Sequence, residues 1–286
     1  MKTLLAIIIT ATLSFGCATL ESEQTTIDFA GGETTSTSST PTPTVTNWSG
    51  TKQLGSSLGD VAHGISTDSS GNVYITGYAG SGLDGNTRAG TGYDHDLFIV
   101  KYDNGGIKQW TQQLGSSFTD RGYGISTDSS GNVYVTGHTW GSLDGNTNAG
   151  GSDLFVVKYD SDGIKQWTQQ LGSSSSELVH GISTDSSDNV YVTGYTFGSL
   201  DGSTNFGTED LFVVKYDSGG IKQWTQQLGS SSPDHAHGIS TDSSGNVYVT
   251  GHTWGGLDGN TNAGSSDLFV VKYDSDGIKQ WTQQLG

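Results

Sequence analysis

A chain of 286 residues with 44 Gly, 3 Pro and a single Cys has room for one or two domains and many tight turns. Only 31% of it is hydrophobic, so the apolar residues must be used sparingly, which favours an all-β chain of short strands. The formal net charge of −17, with 12 Lys and Arg scattered among 29 acids, excludes the clustered basic face that nucleic acid or an anionic membrane surface requires, and a lone cysteine excludes an intrachain disulfide.

Residues 1–16 read as a signal peptide. Met1-Lys2 gives a positive start, and the apolar run over residues 4–15 is too short to span a bilayer. Ser14-Phe15-Gly16 precedes Cys17. This resembles the lipobox of bacterial lipoproteins, in which a small residue stands before the Cys; the customary Leu is displaced by one place, to Leu13. The resemblance implies lipidation at Cys17, contact with a membrane through that lipid alone, and a secreted protein held at the outer membrane or cell surface. Ala18, rather than Asp, after the Cys is similar to the outer-membrane sorting pattern. Residues 17–46 are rich in Ser, Thr and Glu, cannot bury a core, and read as an extended tether.

Residues 47–286 are repetitive. Trp110, Trp167, Trp224 and Trp281 recur every 57 residues. Residues 124–172 and 238–286 differ only at Ser142/Gly256 and Gly151/Ser265. Four copies follow an initial Trp-containing segment over residues 48–55. In the second copy, strand a is Gly124-Ile125-Ser126-Thr127-Asp128 and a Ser-Ser-Gly-Asn turn leads to strand b over residues 133–137. A loop over residues 138–152 precedes strand c at 153–159, and an Asp-Ser-Asp-Gly turn leads to strand d at 164–171. Strand c is apolar on both faces and must be covered on both sides. Strand d places Trp167 and Leu171 opposite Gln166, Thr168 and Gln170, as a half-wet outer strand would. Strand a uses small residues, as a crowded centre requires. The fold expected is an all-β propeller of four four-stranded blades, about 57 residues per repeat.

The string Trp-x-x-Gln-Leu-Gly, then Gly-Ile-x-x-Asp-x-x-Gly-Asn-Val-Tyr-Val-Thr-Gly, then Asp-Leu-Phe-Val-Val-Lys-Tyr-Asp resembles the SBBP-type β-propeller repeat of bacterial surface and secreted proteins. The family name implies seven blades. Four can close alone, pair with a second chain, or belong to a longer product, and the segment over residues 48–54 could complete the last blade in place of residues 281–285.

Of the two rims, the one formed by the a–b and c–d turns is uniform, whereas the d–a and b–c loops vary between copies. Three groups stand on this second rim. Asp144, Asn146, Asn148 and Asp153, matched by Asp258, Asn260, Asn262 and Asp267, offer oxygens at alternate positions of a Gly-bearing loop, a pattern that suits calcium or an Asx-type turn. His63, Tyr123, His180 and His237 stand just before strand a and would converge in a four-blade ring, where the imidazoles could hold a transition metal. Trp140, Phe197 and Trp254, with Ala79 in the first copy, could stack on sugars or pack between blades.

Neither a Gly-x-Ser-x-Gly elbow nor a His-Glu-x-x-His or Cys-x-x-Cys motif occurs. The sequence reads as a non-catalytic, surface-anchored interaction module for protein or glycan, with self-association as a route to a complete ring. A spacer without its own ligand and a metal-dependent enzyme using the central channel are the competing readings.

Overall fold

The computed structural model describes residues 50–286. The expectations for the signal peptide, Cys17, the tether and Trp48 lie outside the described residues. No described helix is long and apolar enough to cross a membrane.

Sixteen strands form four antiparallel sheets, each ordered sequentially. Blade one holds β1 (Asp60–Thr67), β2 (Val73–Ala79), β3 (Asp96–Tyr102) and β4 (Lys108–Leu114). Blade two holds β5 (Asp120–Thr127), β6 (Val133–Thr139), β7 (Asp153–Tyr159) and β8 (Lys165–Leu171). Blade three holds β9 (Glu177–Thr184), β10 (Val190–Thr196), β11 (Asp210–Tyr216) and β12 (Lys222–Leu228). Blade four holds β13 (Asp234–Thr241), β14 (Val247–Thr253), β15 (Asp267–Tyr273) and β16 (Lys279–Leu285).

Asp side chains build the turns of the uniform rim. Asp128 Oδ1 accepts from the backbone N–H of Ser130 and Asn132, while its Oδ2 accepts from Asn132 Nδ2 and the Tyr134 hydroxyl. Asp68, Asp185 and Asp242 repeat the arrangement. The side chain thus stands in for a backbone acceptor and pins the start of the second strand.

The core lies between blades. Tyr74, Leu97 and Ile99 of blade one interleave with Val135, Phe155 and Val157 of blade two, and the same contact recurs between blades two and three and between three and four. Strand c is covered on both faces in blades two and three, as its two-sided apolar pattern requires. The inner strands are tied sideways through small residues: the hydroxyls of Thr127, Thr184 and Thr241 donate to the carbonyls of Thr67, Thr127 and Thr184.

Two readings are corrected here. The inner strand begins four residues earlier than the sequence suggests, at Asp120 rather than Gly124, because it carries a β-bulge between Gly122 and Gly124 that breaks the simple alternation. The last blade is completed by its own β16, not by the initial segment; Leu54 of that segment instead packs on blade one beside Phe98, Val100 and Tyr102.

The blades are not equivalent at the ends of the series. Ile125 is 8% exposed beneath the neighbouring blade, whereas Ile65 at the same place in blade one is 70% exposed. Leu154 is fully buried, whereas Leu268 on the outer face of blade four is 53% exposed, with Trp281 and Leu285 also open. A Cβ on Gly64, Gly124 or Gly181 would meet an isoleucine of the next blade, and one on Gly238 would meet only Thr250 of its own. The four blades form an open series in which the fourth does not seal against the first.

Candidate functional site

The bulge recurs in every blade. It falls between Ala62 and Gly64 in blade one, Gly122 and Gly124 in blade two, next to Val179 in blade three, and between Ala236 and Gly238 in blade four. In blades one to four the residue without a cross-strand partner is His63, Tyr123, His180 and His237 in turn. An extra residue re-aims its side chain and increases the local twist. These residues therefore belong to strand a itself, not to the loop before it.

Re-aimed in this way, successive residues touch. His63 stacks on Tyr123 with ring centres 4.6 Å apart, Tyr123 meets His180 edge-on at 6.2 Å, and His180 meets His237 at 5.1 Å. The expected convergence of four side chains is replaced by a row, since no ring contact joins His237 to His63 among the described residues. The cause is the open series of blades.

The end of strand b adds a second row. Tyr78, His138, Tyr195 and His252 lie opposite Val61, Arg121, Leu178 and His235 in the strand register. Tyr123 stacks on His138 at 4.9 Å, His180 on Tyr195 at 5.6 Å, and Tyr195 on His235 at 3.8 Å. His95 joins through Tyr78 at 4.7 Å. All 7 histidines of the chain thus belong to one connected network of ring contacts along a single rim.

Burial, aided by neighbouring basic groups, holds six of these imidazoles below the ordinary histidine range. Desolvation, with Arg121 nearby, holds His138 down to about 3, and desolvation beside His237 and His235 holds His180 down to about 4. His63, His95, His237 and His252 are also lowered, each chiefly by burial. Buried nitrogens without a partner include Nδ1 of His95 and His138 and Nε2 of His180.

Trp140, Phe197 and Trp254 form the outer edge of this rim. Each is 39% exposed, so a face of every ring stays open to solvent. Trp140 packs edge-on against His138 at 4.6 Å and Trp254 against His252 at 4.3 Å, while Phe197 leans on Tyr195 at 5.8 Å. The backbone N–H of Trp140 donates to the Thr119 carbonyl, that of Phe197 to Ser176 and that of Trp254 to Pro233. The matching bond in blade one is made by Gly80, to Gly59, so Gly80 and not Ala79 holds the equivalent place. A cavity of about 300 Å³ lies beside Trp140, lined also by Asp94, Phe118, Thr119 and Arg121. The Arg121 guanidinium sits over Tyr78 at 4.8 Å and Trp140 at 5.7 Å.

Acids hold the rim from behind. Asp120 accepts from Ser116 N–H at 2.5 Å and from the Thr139 hydroxyl, and burial pushes its carboxyl up to about 6. Glu177 and Asp234 take the same place in the next blades, and both are raised by burial.

The Asp/Asn loops spend their side chains on themselves. Asp144 accepts from Thr168 Oγ1 at 2.6 Å and pairs with Lys165, and Asn146 Nδ2 donates to the Leu143 carbonyl. Asn148 Oδ1 accepts from Gly150 N–H, and Asp153 Oδ2 accepts from Ala149 N–H and Gln170 Nε2. In blade four Asp258 pairs with Lys279, Asn260 donates to Leu257, Asn262 accepts from Gly264, and Asp267 accepts from Ala263 and Gln284. These bonds pin the loop to strands c and d. Among the described residues, a set of three converging His, Cys, Asp or Glu ligand atoms is made by His235, His237 and His252. His63 and His180 stand outside that set. His235 and His252 were not singled out from sequence; the signal was there, since His252 and His138 take the place of Tyr78 and Tyr195.

The family model for the SBBP β-propeller repeat matches residues 50–84, 109–144, 166–201 and 223–258. An uncharacterized WD repeat-containing protein of Acanthamoeba polyphaga mimivirus is 27% identical, over 58% of this chain and 15% of that protein. The regulatory protein FlaEY of Caulobacter vibrioides is 29% identical, over 56% of this chain and 19% of that protein. The chain therefore spans less than a fifth of either curated relative. Among solved structures, a gluconolactonase from Xanthomonas campestris gives a TM-score of 0.41 at 13% identity, covering 78% of this chain and 62% of that one. A polysaccharide lyase acting on ulvan gives 0.42 at 12% identity, covering 75% and 56%. With four matches that together cover half of its length, the chain belongs to the SBBP β-propeller repeat family.

Proposed function

We propose that this propeller is a non-catalytic recognition module that binds a neutral glycan along the aromatic rim, presented at the cell surface by a lipid on Cys17. The observation that carries the reading is the half-exposed aromatic at one place in three consecutive blades, Trp140, Phe197 and Trp254, each backed by a histidine or tyrosine. A flat apolar face held rigid beside polar loops suits a sugar ring, and three such faces on one scaffold add by linkage. The net charge of −17 argues for a neutral chain rather than an acidic one. The rim's buried acids serve as loop anchors, which supports binding rather than catalysis. Self-association belongs to the same reading, because Leu268, Trp281 and Leu285 leave an apolar face open on blade four. Native electrophoresis through gels containing neutral polysaccharides tests the proposal. Retardation in at least one gel supports it. Unchanged mobility in every gel, with capture of a protein partner instead, would assign the rim to a protein ligand.

A further inference from the structure

The first three blades carry mixed residues at three positions of the rim, and the fourth does not. Blade one has Val61, His63 and Tyr78; blade two has Arg121, Tyr123 and His138; blade three has Leu178, His180 and Tyr195. Blade four has His235, His237 and His252. His235 and His252 lie directly opposite in the β13–β14 register, and the bulge between Ala236 and Gly238 sets His237 beside them.

We propose that His235, His237 and His252 form a zinc-class transition-metal site on blade four. Their ligand nitrogens all lie within 4.8 Å of one another, and His237 Nε2 is 3.0 Å from His252 Nδ1. Bonds from zinc to imidazole nitrogen run about 2.0–2.1 Å, so neighbouring ligands about 3 Å apart already stand at coordination spacing. Glu209, from the loop before β11, contacts His235 Nε2. A carboxylate on a ring nitrogen is how a metal-binding histidine is oriented. Tyr195 stacked on the His235 ring and Trp254 edge-on to both His235 and His252 hold the rings in place. His237 is exposed, so the site opens to solvent and keeps room for an oxygen of an external ligand. Three imidazoles with an open position suit zinc, copper or nickel better than calcium, which takes oxygen ligands.

The test is a calorimetric titration of metal-free protein with zinc chloride in physiological salt and excess magnesium, which saturates the acidic surface. The variants His237→Tyr and His252→Tyr each install a residue that another blade carries at the same place, so the fold has precedent for them. Wild type should take up one zinc ion per chain, and each variant should bind at least about tenfold more weakly. His63→Ala, on blade one, should bind as wild type does. Copper(II) should quench Trp254 emission in wild type and not in His237→Tyr, with melting temperatures confirming that both are folded. No saturable uptake by wild type, or uptake that both tyrosine variants retain in full, overturns the proposal. Glycan retardation is read separately, since it depends on the three exposed aromatics and can fail or succeed without the metal.

Discussion

The Trp167 indole and Gly220 are in contact across the boundary between blades two and three. A Cβ on Gly220 would lie 2.8 Å from Cδ2 of the indole, and Trp167 Nε1 donates to the Ser218 carbonyl at 3.2 Å. Trp110 with Gly163 and Trp224 with Gly277 repeat the contact. The conserved spacing of tryptophan to tryptophan is thus a spacing of clasps between blades.

Trp281 has the same sequence surroundings, but no glycine among the described residues meets its ring, and it is 40% exposed. Trp167→Ala should cost about 3 kcal/mol and Trp281→Ala about 1 kcal/mol, the difference being the inter-blade packing. Urea denaturation of the two variants, followed by circular dichroism, reads the contrast directly.

Gly220 is held at φ +85° against that indole, where a side chain is strained both by the backbone and by the ring. Gly220→Ala should destabilise by at least about 1–3 kcal/mol. Gly259, with φ +82° and open space around it, should lose only the backbone part when changed to Ala. Thermal melts of the two variants separate ring contact from backbone strain.

Acid should weaken the protein through His138. Its imidazole is held down to about 3 when folded and sits at 6.5 when free, so between these values the unfolded chain binds a proton that the folded chain refuses. Stability is complete above pH 6.5 and falls as pH drops, by about 2 kcal/mol at pH 5 for this group. Asp120 opposes this: pushed up to about 6 from 3.8, it gains a proton in the folded state first and returns about 1 kcal/mol over the same interval. His138→Tyr, which installs the residue of Tyr78 and Tyr195, removes the first effect and keeps the second. The loss in unfolding free energy between pH 7 and pH 5 should shrink by about 2 kcal/mol in that variant.

Much of this architecture was legible because repetition multiplies a weak signal. A single copy of Asp-Leu-Phe-Val-Val-Lys-Tyr could be any buried strand, but three copies and a fourth with Ile99, each after a Val-Tyr-Val-Thr-Gly strand or its Ile75 variant, define a blade. The open face of Leu268 and Leu285 was not legible, because their neighbours in sequence match those of the buried Leu154 and half-buried Leu171. The difference lies in what stands on the next blade. The β-bulge was hidden for a similar reason. Residues 235–238 read His-Ala-His-Gly and offer no sign that one residue lacks a cross-strand partner. Without the bulge, His237 reads as the last loop residue, and His235 and His252 appear unrelated although they face one another.

The proposed anchorage rests on Cys17. Cys17→Ser should move the protein from the detergent phase to the aqueous phase in Triton X-114 partitioning of whole cells, with loss of incorporated labelled palmitate. Unchanged partitioning would remove the lipid from the account while leaving the rim untouched.

The rim's claim to be a recognition surface is tested most directly by measuring the affinity of wild type and of the Trp140→Ala, Phe197→Ala, Trp254→Ala triple variant for the neutral polysaccharide that retards wild type most. Each ring lies partly exposed and outside the inter-blade core, so the variant should melt within a few degrees of wild type. Loss of about 1–3 kcal/mol of binding per ring removed, with that melting temperature retained, is the predicted result. A folded triple variant that binds the polysaccharide as tightly as wild type would contradict it.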